Sequence, residues 1–224
     1  GVDLVTGVEM SVTWQQRTLH VVGLDIDPEC PLLKATLRTA AETRIWRARA
    51  IGPSLERAGI RGAFDGALDI AGGDGNLSRS HFARFLVARG HAKNPSQVFR
   101  RFMVSGKPGY VAAHWIAMAD AIGVIHTAGG FAVLAHPARY RVTAGRLRRM
   151  VADFRAAGGD ALEVCCGGSK PDEVSRIARL ARDNGLCASQ GSDFHGMDKP
   201  WARLGQLAPV PAGIPHIMDR MGAR

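Results

Sequence analysis

Three times in its second half the chain passes from a helical pattern through glycine into a short apolar strand, and this repeat confines the fold to a parallel β/α arrangement. Helical spacing over 117–128 ends at Gly129-Gly130, and the strand 131–135 follows. Helix 143–157 ends at Gly158-Gly159 before strand 161–165, and helix 171–184 ends at Gly185 before strand 186–189. Such units bury both faces of their strands and form either a barrel or a doubly wound sheet. The beginning of the chain reads differently. Residues 4–12 and 18–24 are β-rich and separated by a turn around Gln15, which predicts a hairpin. Between the two textures lies a helical stretch, 28–115, that interrupts the β/α pattern as an insertion. It predicts a helix over 31–58 stopped by Gly59 and a Gly- and Asp-rich segment over 62–76 with a short helix at most. A helix over 78–88 capped by Ser78 follows, then another opened by Asn94-Pro95 and ending near Gly106. The β/α core is thus assigned to 1–27 and 116–224.

The strand ends carry the candidate chemistry. An apolar strand that turns polar at its last residue delivers a side chain to the mouth of the sheet. Gly7-Val8-Glu9, Ala135-His136-Pro137 and Gln190-Gly191-Ser192-Asp193-Phe194-His195 read as three such exits. Carboxylates and imidazoles gathered there form the hard ligand set of a hydrolytic metal site. Glu9 and His20 are expected to face each other across the hairpin. Proline after His136 predicts an extended, stiff strand exit. Alternation along an extended segment points Asp193 and His195 the same way. A lone strand histidine such as His20 is more often a packed residue; convergence of the set favours a site.

Charge narrows the partner. Twenty-nine Lys and Arg against twenty Asp and Glu give a net charge of +9, which favours nucleotides, nucleic acid and phosphate esters, although an Arg-rich genome explains composition alone equally well. Cys30, Cys165, Cys166 and Cys187 lack metal-ligand spacing and read as reduced packing residues, pointing to the cytoplasm. No apolar run reaches the roughly 20 residues that span a bilayer, and no obligate protein partner is evident. Trp14, Trp46, Trp115 and Trp201 are dispersed, so no aromatic platform for single strands is predicted, and His91, His114, His126 and His216 read as surface or packing residues.

Within the insertion, Arg44 and Arg47 at i, i+3 share a helix face, with Arg49 nearby. Guanidinium forks match phosphate oxygens. Ser80 and His81 near the start of the next helix add a hydroxyl, an imidazole and backbone N–H groups. Arg79 and Lys107 are weaker candidates, and Arg139 is placed near His136 without a role. A solvated Arg face explains Arg44 and Arg47 on spacing alone.

Together Gly7-Val8-Glu9, Leu19-His20-Val21-Val22-Gly23-Leu24, Ser80-His81-Phe82-Ala83-Arg84, Gly106-Lys107-Pro108-Gly109-Tyr110-Val111, Ala135-His136-Pro137 and Gly191-Ser192-Asp193-Phe194-His195 resemble the PHP (polymerase and histidinol phosphatase) superfamily. The nearest branch contains nucleoside 3′,5′-bisphosphate phosphatases and the 5′-to-3′ exoribonuclease RNase AM. The resemblance implies a distorted (β/α)7 barrel, incomplete over 1–27 and 116–224, with a helical insertion and two to three Mn2+ or similar divalent ions. It makes Glu9, His20, His136, Asp193 and His195 metal ligands, with Glu9, Asp193 and His195 catalytic, and places substrate-phosphate contacts at the stretches holding Arg44, Arg47, Ser80 and His81. The implied reaction is in-line attack of a metal-bound hydroxide on a nucleotide or RNA 5′-end phosphate ester. The branch's opening His-x-His and Thr-Asp-His motifs are absent and are expected upstream of Gly1. The chain alone is therefore expected to be a fragment with incomplete metal ligation and little activity. The alternatives are a phosphatase of another small phosphomonoester, as in histidinol phosphate hydrolysis, and a non-catalytic binding module.

Overall fold

The computed structural model describes residues 4–73, 77–196 and 202–221. One five-stranded sheet, ordered β1-β2-β3-β4-β5, organises the mixed α/β fold. Strands β1 (Gly7–Trp14) and β2 (Arg17–Leu24) form the expected hairpin, and β2 pairs antiparallel with β3 (Phe131–Leu134). Strands β3, β4 (Ala161–Cys166) and β5 (Cys187–Gly191) run parallel, as the three helix–Gly–strand units predict. The intervening helices are α5 (Met118–Thr127), α6 (Ala144–Ala156) and α7 (Pro171–Asp183). Gly23 shows how closely α5 approaches the sheet: a Cβ there would lie 3.0 Å from Ile125.

The hairpin turn is built against local preference. Gln15 and Gln16 both adopt positive φ, 44° and 62°, between the paired residues Trp14 and Arg17. A two-residue turn of this hand favours Asn-Gly, because non-glycine residues there cost about 1–2 kcal/mol each. Replacing Gln15-Gln16 with Asn-Gly is expected to raise stability by about 1 kcal/mol. Chemical denaturation measures this; an unchanged or lower midpoint would refute the turn.

By internal contacts, the chain divides into Gly1–Thr36 with Ile116–Arg224 and, separately, Leu37–Trp115. Helix α1 (Pro31–Arg57) begins in the first unit and ends in the second, where left-handed Gly59 stops the chain. The second unit is helical. Its α2 (Ala63–Ala71) is a nine-residue helix between left-handed Gly62 and Gly72. Helix α3 (Arg79–Ala88) follows the Ser78 cap, and α4 (Pro95–Val98) continues into a π-helical turn, Phe99–Met103, short of the predicted end at Gly106. Leu55, Leu77, Phe82, Leu86, Val98 and Met103 are buried in its own core.

In the first unit a short helix, α8 (Ile217–Met221), supplies Ile217 and Met221 to a cluster with Phe131, Val133, Ala161 and Cys187. All four cysteines are buried and free. No helix among the described residues is long and apolar enough to cross a membrane.

Candidate metal centre

Strand alternation puts one row of side chains on the α8 face of the sheet. Glu9 lies level with Val22 and Val133, while Glu163 lies level with Ser189. These residues, with His136, Asp193, Gly191 and His216, line a cavity of about 470 Å³. Glu9 is not at a strand exit as expected; it stands three residues into β1. Nor does it face His20 directly, because the register pairs Glu9 with Val22 and Ser11 with His20. The two side chains meet diagonally, within reach of long side chains on one face.

Glu9, His20 and His136 present donor atoms that all lie within 4.8 Å of one another. His20 Nδ1 is 2.7 Å from Glu9 Oε1, and His136 Nε2 is 3.4 Å from the same oxygen. The short contact is not an aligned hydrogen bond: His20 Nδ1 is buried with no hydrogen-bond partner among the described residues. Atoms this close but not aimed at each other suit ligands converging on a shared cation. The donor set, one carboxylate and two imidazoles, therefore fits a divalent transition ion. The imidazoles of His136 and His20 hold the Glu9 carboxyl far below the usual range, against the opposing effect of burial. Glu9 is an anion ready to ligate.

Two residues unmarked by sequence reasoning fix this arrangement. Glu163 Oε2 accepts the His136 backbone N–H at 2.6 Å. His136 is held in a left-handed conformation, φ 34° and ψ 52°, rather than the extended one its proline predicts. Capture of its N–H by Glu163 and the bond from Arg139 N to His136 O, 2.9 Å, secure that strained turn. Tyr140 accepts the His20 N–H at 2.8 Å, and its ring lies 5.4 Å from that of His136. Glu163 carried a legible signal, a lone charge inside the apolar run Ala161-Leu162-Glu163-Val164. Tyr140 carried none.

Burial first of all raises the Glu163 pKa to about 7. The folded metal-free protein therefore binds a proton that the unfolded chain has released near the ordinary value of 4.5. Its contribution is fully present below pH 4.5 and lost as pH rises through 7. Metal-stripped protein is expected to lose about 3 kcal/mol of stability across that window, and Glu163→Gln to flatten it. Denaturation at pH 5 and pH 8 checks the sign; a Glu163→Gln variant with the same pH slope as the parent would contradict it.

The remaining expected ligands sit apart from the triad. Asp193 lines the cavity but pairs with Arg139, whose other arm donates to Gly167 O at 2.9 Å. Asp193 has φ 52°, so the extended alternation fails and His195 does not follow it inward. His195 Nδ1 contacts the Asp193 carbonyl at 2.9 Å, with 58% of its side chain exposed. His216, expected to be surface or packing, is a cavity residue whose Nδ1 accepts the Met218 N–H at 3.2 Å. His126 instead bonds Asp160 at 2.8 Å. Trp201 lies outside the described residues.

In the second unit Arg44 and Arg47 have different surroundings. Arg44 lies over the Trp115 ring, 5.8 Å from its centroid. Arg47, whose Nε donates to Val111 O at 2.8 Å, has its pKa lowered to about 10 by burial and then by neighbouring Arg79. Burial likewise lowers Arg79. Ser80 is exposed on the first turn of α3. The Nδ1 of His81 accepts the Ser78 N–H at 3.1 Å, which places any neutral-ring proton on Nε2.

A carboxylate–imidazole cluster in a cavity of an α/β sheet offers the donor set of a metal site, and similarity to known proteins says what class of protein carries it. No family model matches the chain. A 3′,5′-nucleoside bisphosphate phosphatase from Chromobacterium violaceum is 44% identical over all of this chain and 79% of its own length. The Escherichia coli 5′-3′ exoribonuclease Rnm is 46% identical over 96% of this chain and 73% of its own. A solved amidohydrolase from C. violaceum, with bound sulfate and no metal, superposes with a TM-score of 0.92 over 98% of this chain and 76% of that one, at 44% identity. The chain belongs to this family of nucleoside bisphosphate phosphatases and 5′-3′ exoribonucleases, within the PHP superfamily its motifs resemble.

Proposed function

We propose that this protein is a metal-dependent phosphoesterase that hydrolyses phosphate esters of nucleoside 3′,5′-bisphosphates and of RNA 5′ ends. The observation that carries this reading is the convergence of Glu9, His20 and His136 on one point of the cavity, close together yet unaligned. Glu9 and the two imidazoles would hold Mn2+ or a similar ion, with Asp193 and His195 completing the set once Asp193 releases Arg139. When bound, such an ion acidifies water and neutralises phosphoryl oxygens. The chain's own residues do the rest. Glu163 and Tyr140 hold the backbone of the two imidazoles that would ligate the ion, and Arg139 balances the charge of Asp193. In the unit Leu37–Trp115, half-buried Arg47 and Arg79 lack an acidic partner among the described residues, as a grip for the non-reacting phosphate would. Arg44, Ser80 and His81 would support it, His81 through its Nε2–H. This assigns 28–115 the role of substrate-binding insertion and the flanking segments that of the barrel.

The test supplies Mn2+ to protein expressed from its full reading frame, with adenosine 3′,5′-bisphosphate and 5′-monophosphorylated RNA as substrates. Release of phosphate or mononucleotide, abolished by chelator, is expected. No turnover of either substrate with any divalent ion would overturn the reading. Arg47→Ala with Arg79→Ala is expected to raise KM for the bisphosphate at least about a hundredfold, the low end for losing two charged hydrogen-bond donors at about 1.5 kcal/mol each.

A further inference from the structure

No Asp or Glu occurs between Asp74 and Asp120, yet seven Lys and Arg do: Arg79, Arg84, Arg89, Lys93, Arg100, Arg101 and Lys107. The asymmetry extends to the whole unit. Leu37–Trp115 holds thirteen basic and five acidic residues, against sixteen and fifteen in the rest of the chain, so it carries +8 of the net +9. Every ion pair among the described residues lies in the other unit. All but half-buried Arg79 of the seven are exposed, and none pairs with an acidic group among the described residues.

Arg101 and Arg89 are also held in place. The Arg101 guanidinium donates to His91 O at 2.8 Å, which brings it to the turn that closes α3 beside Arg89 and Lys93. Arg101 lies over Phe102 and Arg89 over Phe85, 5.1 and 5.4 Å from the ring centroids. Stacking fixes the plane of a guanidinium and leaves its N–H edge free for phosphate. A mononucleotide bisphosphate has one phosphate to spare for this unit, and Arg47 with Arg79 suffices for it. The further exposed cations call for a longer polyanion.

Resting on the nucleotide and RNA reading above, we propose that the acid-free segment 77–115 binds the phosphodiester backbone of single-stranded RNA downstream of its 5′-terminal nucleotide. Binding should then grow with chain length, unlike capture of an end alone. It should also weaken with salt, because each neutralised phosphate releases counterions.

Fluorescence anisotropy on protein held in chelator, so that RNA stays intact, measures this with 5′-phosphorylated oligoribonucleotides of two, six and twelve nucleotides. Affinity is expected to rise at least tenfold from the dinucleotide to the dodecamer. The variant Lys93→Gln, Arg89→Gln, Arg100→Gln, Arg101→Gln is expected to lose that gain and to flatten the salt slope by about 3, from roughly 0.7 per neutralised phosphate. In protein expressed from the full reading frame, its hydrolysis of adenosine 3′,5′-bisphosphate with Mn2+ should match the parent, which also shows that it folds. Equal affinity for all three lengths, parental binding by the variant, or preference for duplex in competition would overturn the proposal. Length-dependent binding by a protein that hydrolyses neither substrate would support the surface and sink the enzymatic reading, so the two failures are distinct.

Discussion

Glu9→Gln is expected to lower Mn2+ affinity by at least about a hundredfold and phosphate release with it. Residues that merely orient metal ligands cost 10–100-fold when removed, so Glu9, proposed as a direct ligand, belongs at or beyond the upper end. Gln preserves shape and removes only the charge. The carboxylate is the anionic member of the triad, and both His20 and His136 approach its Oε1. Titration calorimetry with Mn2+, alongside circular dichroism to show an unchanged fold, reads the effect. Parental metal affinity in the variant would remove Glu9 from the site. Glu163→Ala is expected to cost less, about 10–100-fold in metal affinity, through release of the His136 N–H. Glu163→Gln should recover most of that loss, since its amide oxygen can still accept.

Phe82→Ala is expected to destabilise the protein by about 3–5 kcal/mol, the range for emptying a buried aromatic site. Phe82 is fully buried, in the same cluster as Leu86, Val98 and Met103. On α3 the buried Phe82 and Phe85 alternate with exposed Ser80 and Arg84. The helix thus ties the packing of this unit to the display of its exposed polar and basic side chains. Urea unfolding measures the loss. A change below about 1 kcal/mol, the size of an ordinary surface substitution or little more, would mean that Phe82 does not anchor this core.

Sequence patterning reached the fold because its signals are local. Gly129-Gly130, Gly158 and Gly185 punctuate helices and strands within a few residues, and each has its strand where the pattern requires. Side-chain geometry at the site was less legible because it depends on register and backbone hand. Glu9 and His20 meet diagonally, a consequence of where the turn closes at Gln15-Gln16. His136 and Asp193 are left-handed, which neither proline nor alternation foretells. The surroundings of the arginines depend on tertiary structure: Arg47 lies in the field of Arg79, thirty-two positions away, while its i, i+3 neighbour Arg44 turns to Trp115. Glu163 was visible as a charge in an apolar strand, but its partner, a backbone N–H twenty-seven residues earlier, was not.

Anomalous diffraction at the manganese edge, from crystals grown with Mn2+, tests the metal centre most directly. The structure predicts a peak within bonding distance of Glu9, His20 and His136. Well-ordered crystals in which those three side chains enclose no anomalous density, with manganese held elsewhere or not at all, would contradict it.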